Sequence, residues 1–319
     1  MHYPLNKPLV SVIIPNYNHS SFIKERIESV LNQTYFEIEV IILDDNSIDN
    51  SWEIIREYSK NIKVSHVEKN VYNSGGTFFQ WRKGIQMAKG DYIWIAESDD
   101  VADLNFLKKV MNVFENNKNV SVVFTASNMI DENSTIIGDL NWWLEDFKDN
   151  IWFESFIMKG VDFISKFHSV RNVIMNASSA VFRKEYYFVN EHNNINYKLC
   201  GDWITWISMI KDSNVAYLKD KLNNYRFHKN TVRENSDKKN IIFKESFKVR
   251  SYCFDNFLLE PQALNSIYFE TYNNILRSKS GANKLIKAIH FIICYIYLFF
   301  KNPKFSIGFL KYLLFVKTF

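Results

Sequence analysis

The sequence predicts an α/β fold: a mostly parallel sheet flanked by helices, continued by a C-terminal helical extension. Three observations carry this. Short, near-continuous apolar runs alternate with stretches of helical spacing over residues 10–96, as strands buried on both faces do. β-Branched residues crowd those runs, notably at 10–14 and 40–43. From Thr231 onward only helical spacing is left.

The elements follow in order. Residues 10–14 form a strand stopped by Pro15, which lacks an amide donor. Residues 22–31 are a helix with Phe22, Ile27 and Val30 on one side. A strand at 39–43, a helix at 51–58, a strand at 62–67, a helix at 77–88 and a strand at 92–96 complete the alternation. The middle is less regular. Strands are expected at 120–124, 176–182, 215–218 and 224–227, and an apolar helix at 203–210, opened by Gly201-Asp202. Residues 141–156 hold Trp142, Trp143 and Trp152 among acids, with no clean period. Helices are expected at 240–258, 261–276 and 282–300. The polar run from Arg233 to Lys239 sets the expected cut: one domain over 1–232 and a helical region over 233–319.

Composition narrows the class. Of 319 residues, 47% are apolar and 23% charged, which excludes a disordered chain. With 3 cysteines and no CxxC pair, a disulfide framework and a cysteine zinc site are excluded, and a reducing, cytoplasmic setting fits. The first eight residues do not form a signal peptide, and no apolar run reaches the roughly 20 residues of a spanning helix. The net charge of +4 divides unevenly. Residues 231–319 hold 14 basic and 6 acidic side chains, so the first 230 residues are net negative. After Glu270 there are eight basic residues and no acid. The apolar stretches 288–300 and 305–316, set among lysines, read as interfacial helices on an anionic membrane surface. A packed helical subdomain or a dimer contact is the alternative. A tail this apolar, on an acidic body, does not fit nucleic acid.

Open parallel sheets bind ligands at the carboxyl ends of their strands. Those ends carry Pro15-Asn-Tyr-Asn18, Asp44-Asp-Asn-Ser47 and Glu97-Ser-Asp-Asp100. Adjacent carboxylates need a cation or donors beside them, and hard oxygen ligands suit Mg²⁺ or Mn²⁺ on a diphosphate. Taken singly, Asp44-Asp45 and Asp99-Asp100 read equally as helix N-caps. Asn73-Ser-Gly-Gly-Thr77 opens a helix and is either a phosphate cradle or a tight turn. Arg82 and Lys83 follow within that helix, one of them in reach of phosphates or both solvated. There is no GxGxxG and no GxxxxGK[ST], so dinucleotide and P-loop nucleotide binding are poor readings.

Together with Ser29-Val-Leu-Asn-Gln-Thr34 and Gly84-Ile-Gln-Met-Ala-Lys-Gly-Asp-Tyr-Ile93, these stretches resemble glycosyltransferase family 2, inverting enzymes of the GT-A fold. The resemblance covers residues 8–230. It implies a nucleotide-diphosphate sugar donor, uridine or deoxythymidine linked, and a glycan or lipid-linked acceptor in cell-surface polysaccharide synthesis. It implies that Asp45 binds the base, with Pro15 and Tyr17 walling the pocket; Asn16 is expected to bind the nucleotide beside them, as are Gly76 and Arg82 from the Gly-Gly helix start. Glu97-Ser98-Asp99 stands where the family has DxD, with Glu for the first Asp, so Asp99 and Asp100 are expected to hold ribose and metal. Cys200-Gly-Asp-Trp-Ile-Thr-Trp206 places the catalytic base at Asp202, whose alternative reading is the cap of its helix. Asn224-Tyr-Arg-Phe-His228 matches the end of the family's catalytic domain. It makes His228 a metal or diphosphate ligand and leaves Arg226 either to a phosphate or to a carboxylate. The other histidines show no metal-ligand spacing. Trp142 and Trp143 are expected to face the acceptor, or else to pack a loop on the body. The competing classes are a sugar-nucleotide nucleotidyltransferase, which lacks its Gly-rich loop at Asn16-Tyr-Asn-His19, and a non-catalytic sugar-nucleotide binding module.

Overall fold

The computed structural model describes residues 7–145, 147, 149–189, 194–228, 236–277 and 284–315. Its strands are β1 (Val10–Asn16), β2 (Ile38–Asp44), β3 (Val64–Lys69), β4 (Tyr92–Ile95), β5 (Val101–Ala102), β6 (Val120–Ile130), β7 (Ile136–Asp139), β8 (Phe156–Lys159), β9 (Ala180–Arg183) and β10 (Asn214–Arg226). They form one sheet in the order β3-β2-β1-β4-β9-β6-β10-β5, with β7 on β6 and β8 on β10. β1 to β4 are mutually parallel, and β10 is parallel to β6. β9 runs antiparallel to both its neighbours, which makes the sheet mixed.

Alternation along the strands sends side chains into two cores. Val10, Val12 and Ile14 of β1 join Val40 and Ile42 on one face. That face is covered by α1 (Ile23–Leu31), α2 (Ser51–Glu57) and α4 (Phe106–Asn116). Ile13, Ile41 and Ile95 point the other way, onto α3 (Thr77–Met87) and α8 (Gly201–Ile210). The short helices α5 (Trp142–Glu145), α6 (Gly160–Phe163) and α7 (Lys184–Val189) fill out this second layer.

Four helices end the chain: α9 (Ser236–Asn256), α10 (Pro261–Arg277), α11 (Lys284–Lys301) and α12 (Pro303–Phe315). They share a cluster of their own, centred on Phe247, Ile267, Leu298, Phe305 and Phe309. α9 also buries Val249 and Cys253 in the core that holds Trp203 and Trp206. The expected cut at residues 232 and 233 falls outside the described residues.

Several boundaries differ from expectation, each for a local reason. β1 runs past Pro15 to Asn16, because pairing with β4 ends where the Ala96 amide bonds the Ile13 carbonyl. The donor that Pro15 lacks had no strand partner to lose. The strand expected at 176–182 begins only at Ala180, since the Asn176 side chain accepts from the Ser179 amide and caps a 3₁₀ turn. The two short strands at 215–218 and 224–227 are one, β10, carried across the gap by register shifts against β6.

Candidate active site

Because β1, β2 and β4 are adjacent and parallel, the loops after them meet at one edge. Asp44 is fully buried there and accepts from Asn16 Nδ2 at 2.8 Å and from Ser47 Oγ at 2.6 Å. Asp45 accepts from Asn70 Nδ2 (2.6 Å), the Ser74 amide (2.9 Å), Ser74 Oγ (2.7 Å) and Gln80 Nε2 (2.8 Å). A carboxylate has about four acceptor positions, so Asp45 is committed to the segment 70–80. These acids do not cap α2, whose N-cap Asn50 makes no side-chain cap bond. Pro15 and Asn16 are buried, while Tyr17 is 46% exposed at the edge.

The acidic loop after β4 splits into three environments. Glu97 accepts from Trp81 Nε1 at 2.8 Å, and burial, then the charge of Asp99, pushes its carboxyl up to about 8. Asp100, 2% exposed, accepts from the Arg226 amide at 3.0 Å and lies 3.9 Å from the guanidinium of buried Arg26. Burial and Asp99 push it up to about 7. Asp100 therefore braces the loop from beneath and lies outside the group formed by His19, Asp99 and His228. Neither Asp99 nor Asp100 caps α4, whose N-cap Asn105 makes no side-chain cap bond.

Asp99 faces histidines. Its Oδ2 is 3.2 Å from His228 Nε2. Burial works to raise the Asp99 carboxyl, and the His228 hydrogen bond with the charges of His19 and His228 outweighs it, leaving Asp99 below the ordinary value. His19, from the loop after β1, sits with Nδ1 2.8 Å from Ser98 Oγ. The ligand atoms of His19, Asp99 and His228 all lie within 4.8 Å of one another. Burial, ahead of the charges nearby, lowers the His19 pKa, which favours the neutral imidazole that ligates a cation.

Topology explains how His228 arrives. β5 follows the acidic loop directly and pairs with Asn223 and Asn224 of β10, so the end of β10 lies over residues 97–100. Arg226 then donates from Nε to the Asp99 carbonyl (2.7 Å) and from a terminal nitrogen to Glu25 (2.6 Å). Of the roles open to Arg226, the structure shows the carboxylate pair. Sequence reasoning missed His19. Its position just past β1, beside the β4 loop of a parallel sheet, was the available signal.

The glycine pair opens α3. Gly75 has φ +86°, a conformation that suits glycine, whereas Gly76 is extended and is the N-cap of α3. The first turn touches the acidic loop, since Thr77 Oγ1 lies 3.4 Å from Glu97 Oε1. Lys83 is held by Glu68 and Asn70, both at the β3 end. Arg82 is half-buried on the same helix.

Asp202 enters from the other side. It lies in the first turn of α8, inside N-cap Cys200, and accepts from the Trp203 amide and from Asn172 Nδ2, each at 2.8 Å. It is therefore not the helix cap. α8 begins close to α3: a Cβ on Gly201 would sit 2.6 Å from Phe78 Cε2. The tryptophans separate. Trp142 is 52% exposed. Trp143 donates from Nε1 to the Asn172 carbonyl (2.9 Å) under the Arg171 guanidinium, and Trp152 is core.

Comparison with known proteins bears on the family and the fold. The family model described as Glycosyl transferase family 2 matches residues 11–174. A putative teichuronic acid biosynthesis glycosyltransferase of Bacillus subtilis (strain 168), TuaG, is 27% identical over 72% of this chain and 83% of its own. The S. aureus TarS 1-349 structure in complex with UDP-GlcNAc superposes with TM-score 0.63 at 17% identity, covering 84% of this chain and 73% of that one. The mannosyltransferase PcManGT from Pyrobaculum calidifontis, in complex with GDP-Man and Mn²⁺, gives TM-score 0.58 at 15% identity, over 98% and 89%. The shared fold is GT-A.

Proposed function

The chain belongs to glycosyltransferase family 2, and from that premise we propose that it is an inverting, metal-dependent transferase acting on a nucleotide-diphosphate sugar. The acceptor in this reading is a glycan or lipid-linked saccharide of a cell-surface polysaccharide, in line with the TuaG relative. The observation that carries the reading is the meeting of His19, Asp99 and His228 at the strand edge that also holds Asp45 and the start of α3. Neighbours of the same fold bind UDP-GlcNAc and GDP-Man, which supports a nucleotide sugar and leaves its base open.

The two imidazoles and one carboxylate fit a divalent cation, and their nitrogen content favours Mn²⁺ over Mg²⁺. Bound there, the cation would offset charge developing on the leaving diphosphate. Tyr17 and Pro15 wall the base. Asp45 acts at one remove, by fixing Asn70, Ser74 and Gln80 around it, and Gly76 and Arg82 bring α3 to the diphosphate. Asp202 takes the proton of the acceptor hydroxyl as its oxygen bonds the anomeric carbon and the bond to the diphosphate breaks on the opposite face. Trp142 offers its open ring to the acceptor, and Trp143 supports it from behind. We place the enzyme in the cytoplasm, where its cysteine thiols stay reduced.

The test is a panel of nucleotide sugars assayed for nucleotide diphosphate release, with and without Mn²⁺ and saccharide acceptors. Release that depends on one donor and on metal is expected. Release from none of them overturns the reading, and full release in chelator overturns the metal role. For Trp142, an unchanged acceptor KM in Trp142→Ala would remove it from the acceptor site.

A further inference from the structure

Over residues 291–300 α11 is apolar on every side, yet only one side is covered. Cys294 and Leu298 are buried against α12 and α10 in the C-terminal cluster. The opposite side carries Ile289, Ile292, Ile293, Ile296, Phe299 and Phe300, each between 43% and 80% exposed. Their spacing is that of one continuous helical stripe. α12 adds Ile307, Leu310 and Leu314, also 42–61% exposed. A helix apolar all round belongs in a protein core or in lipid, and among the described residues nothing covers this face.

The charges on α11 and α12 themselves have one sign, and the acid at their corner, Asp255 of α9, accepts from Asn302 at 2.9 Å. Lys301, Lys304 and Lys311 are all exposed on α11 and α12, and no acid follows Glu270 anywhere in the chain. Among the described residues, no helix is long and apolar enough to cross a membrane. Exposed apolar residues bordered by lysines, on helices too short to span, match a surface that lies in the plane of a bilayer. We propose that the outer face of α11 and α12 docks this protein on an anionic phospholipid surface, the apolar stripe entering the acyl boundary and the lysines meeting the headgroups. A second copy of this chain would bury the stripe equally well, but it would bring the same lysines together rather than pair them.

The experiment is co-sedimentation of the full-length protein with phosphatidylcholine vesicles, made with and without phosphatidylglycerol. Binding is expected to the anionic vesicles, at least tenfold weaker to the neutral ones, and reduced by salt. The variant Ile292→Glu/Ile296→Glu should stay in the supernatant while keeping wild-type melting and nucleotide release. Should it fail to fold, Lys301→Gln/Lys304→Gln/Lys311→Gln leaves the stripe intact and should bind anionic vesicles roughly fivefold more weakly per lysine removed. A wild-type chain that ignores both vesicles, or binds them equally, overturns the proposal. So does a dimer, seen by light scattering, that the glutamate pair dissolves. Vesicle binding is read without any sugar transfer, so its failure is separate from failure of the proposed reaction.

Discussion

Asn172 donates from Nδ2 to Oδ2 of Asp202 at 2.8 Å, while its own carbonyl accepts from Trp143 Nε1 at 2.9 Å. One residue thus orients the proposed base and anchors the aromatic segment expected to meet the acceptor. Its Oδ1 is buried with no hydrogen-bond partner in the structure. Asp202→Asn should cut kcat by roughly 10²–10⁴-fold with donor KM held. Asn172→Ala should cut kcat by about 10–100-fold, again with donor KM held. Steady-state kinetics on both variants checks this, and an unchanged kcat in Asp202→Asn would refute the base assignment.

The division between Asp99 and Asp100 is testable in the same preparation. His19→Ala, His228→Ala and Asp99→Ala should each raise the Mn²⁺ concentration for half-maximal activity by about tenfold or more, as loss of a ligand does. Asp100→Ala should leave that concentration in place and lower the melting temperature instead. Removing the carboxyl leaves the buried Arg226 amide without its acceptor, at about 1–3 kcal/mol. Metal titration of activity, with thermal melts alongside, separates the groups.

Glu97 carries a pH signature. Its carboxyl is raised from the ordinary 4.5 to about 8, chiefly by burial. The folded chain keeps a proton there that the unfolded chain has released, so the contribution to stability is full below pH 4.5 and is lost as pH rises through about 8. Asp100, raised to about 7, works in the same direction. Metal-free protein should therefore melt at falling temperature across that interval, and Glu97→Gln should flatten the slope. A melting temperature that rises over this range contradicts the assignment.

Gly201 tests the contact that brings α8 to α3. Gly201→Ala places a methyl carbon 2.6 Å from Phe78 Cε2. The expected loss is about 1–3 kcal/mol of stability, recovered in part by Phe78→Leu. Chemical denaturation of the single and double variants measures both.

The start of the chain was readable because β1 and β2 are buried on both faces, so Val10 to Ile14 and Val40 to Leu43 stand out as apolar runs. The acidic clusters were readable because strand ends in a parallel sheet share an edge. Which carboxylate faces outward was not. Asp45 and Asp100 differ from Asp99 only through partners far along the chain: Ser74 and Gln80 for one, Arg26 and the Arg226 amide for the other. His19 hid for the same reason, since its neighbour Asp99 lies eighty residues on. β10 was split because its register shifts put polar residues mid-strand.

The position of β9 has a consequence for how the chain folds. It lies between β4 and β6, yet it follows both in sequence. Until Ala180–Arg183 leaves the ribosome, β4 and β6 each present an unpaired edge, and such edges invite pairing with other chains. The segment matched by the family model stops at residue 174, six residues short of that strand. Expressed alone, it would lack β9 and β10 together, keeping β3-β2-β1-β4 as one sheet and leaving β6 only β7 to pair with.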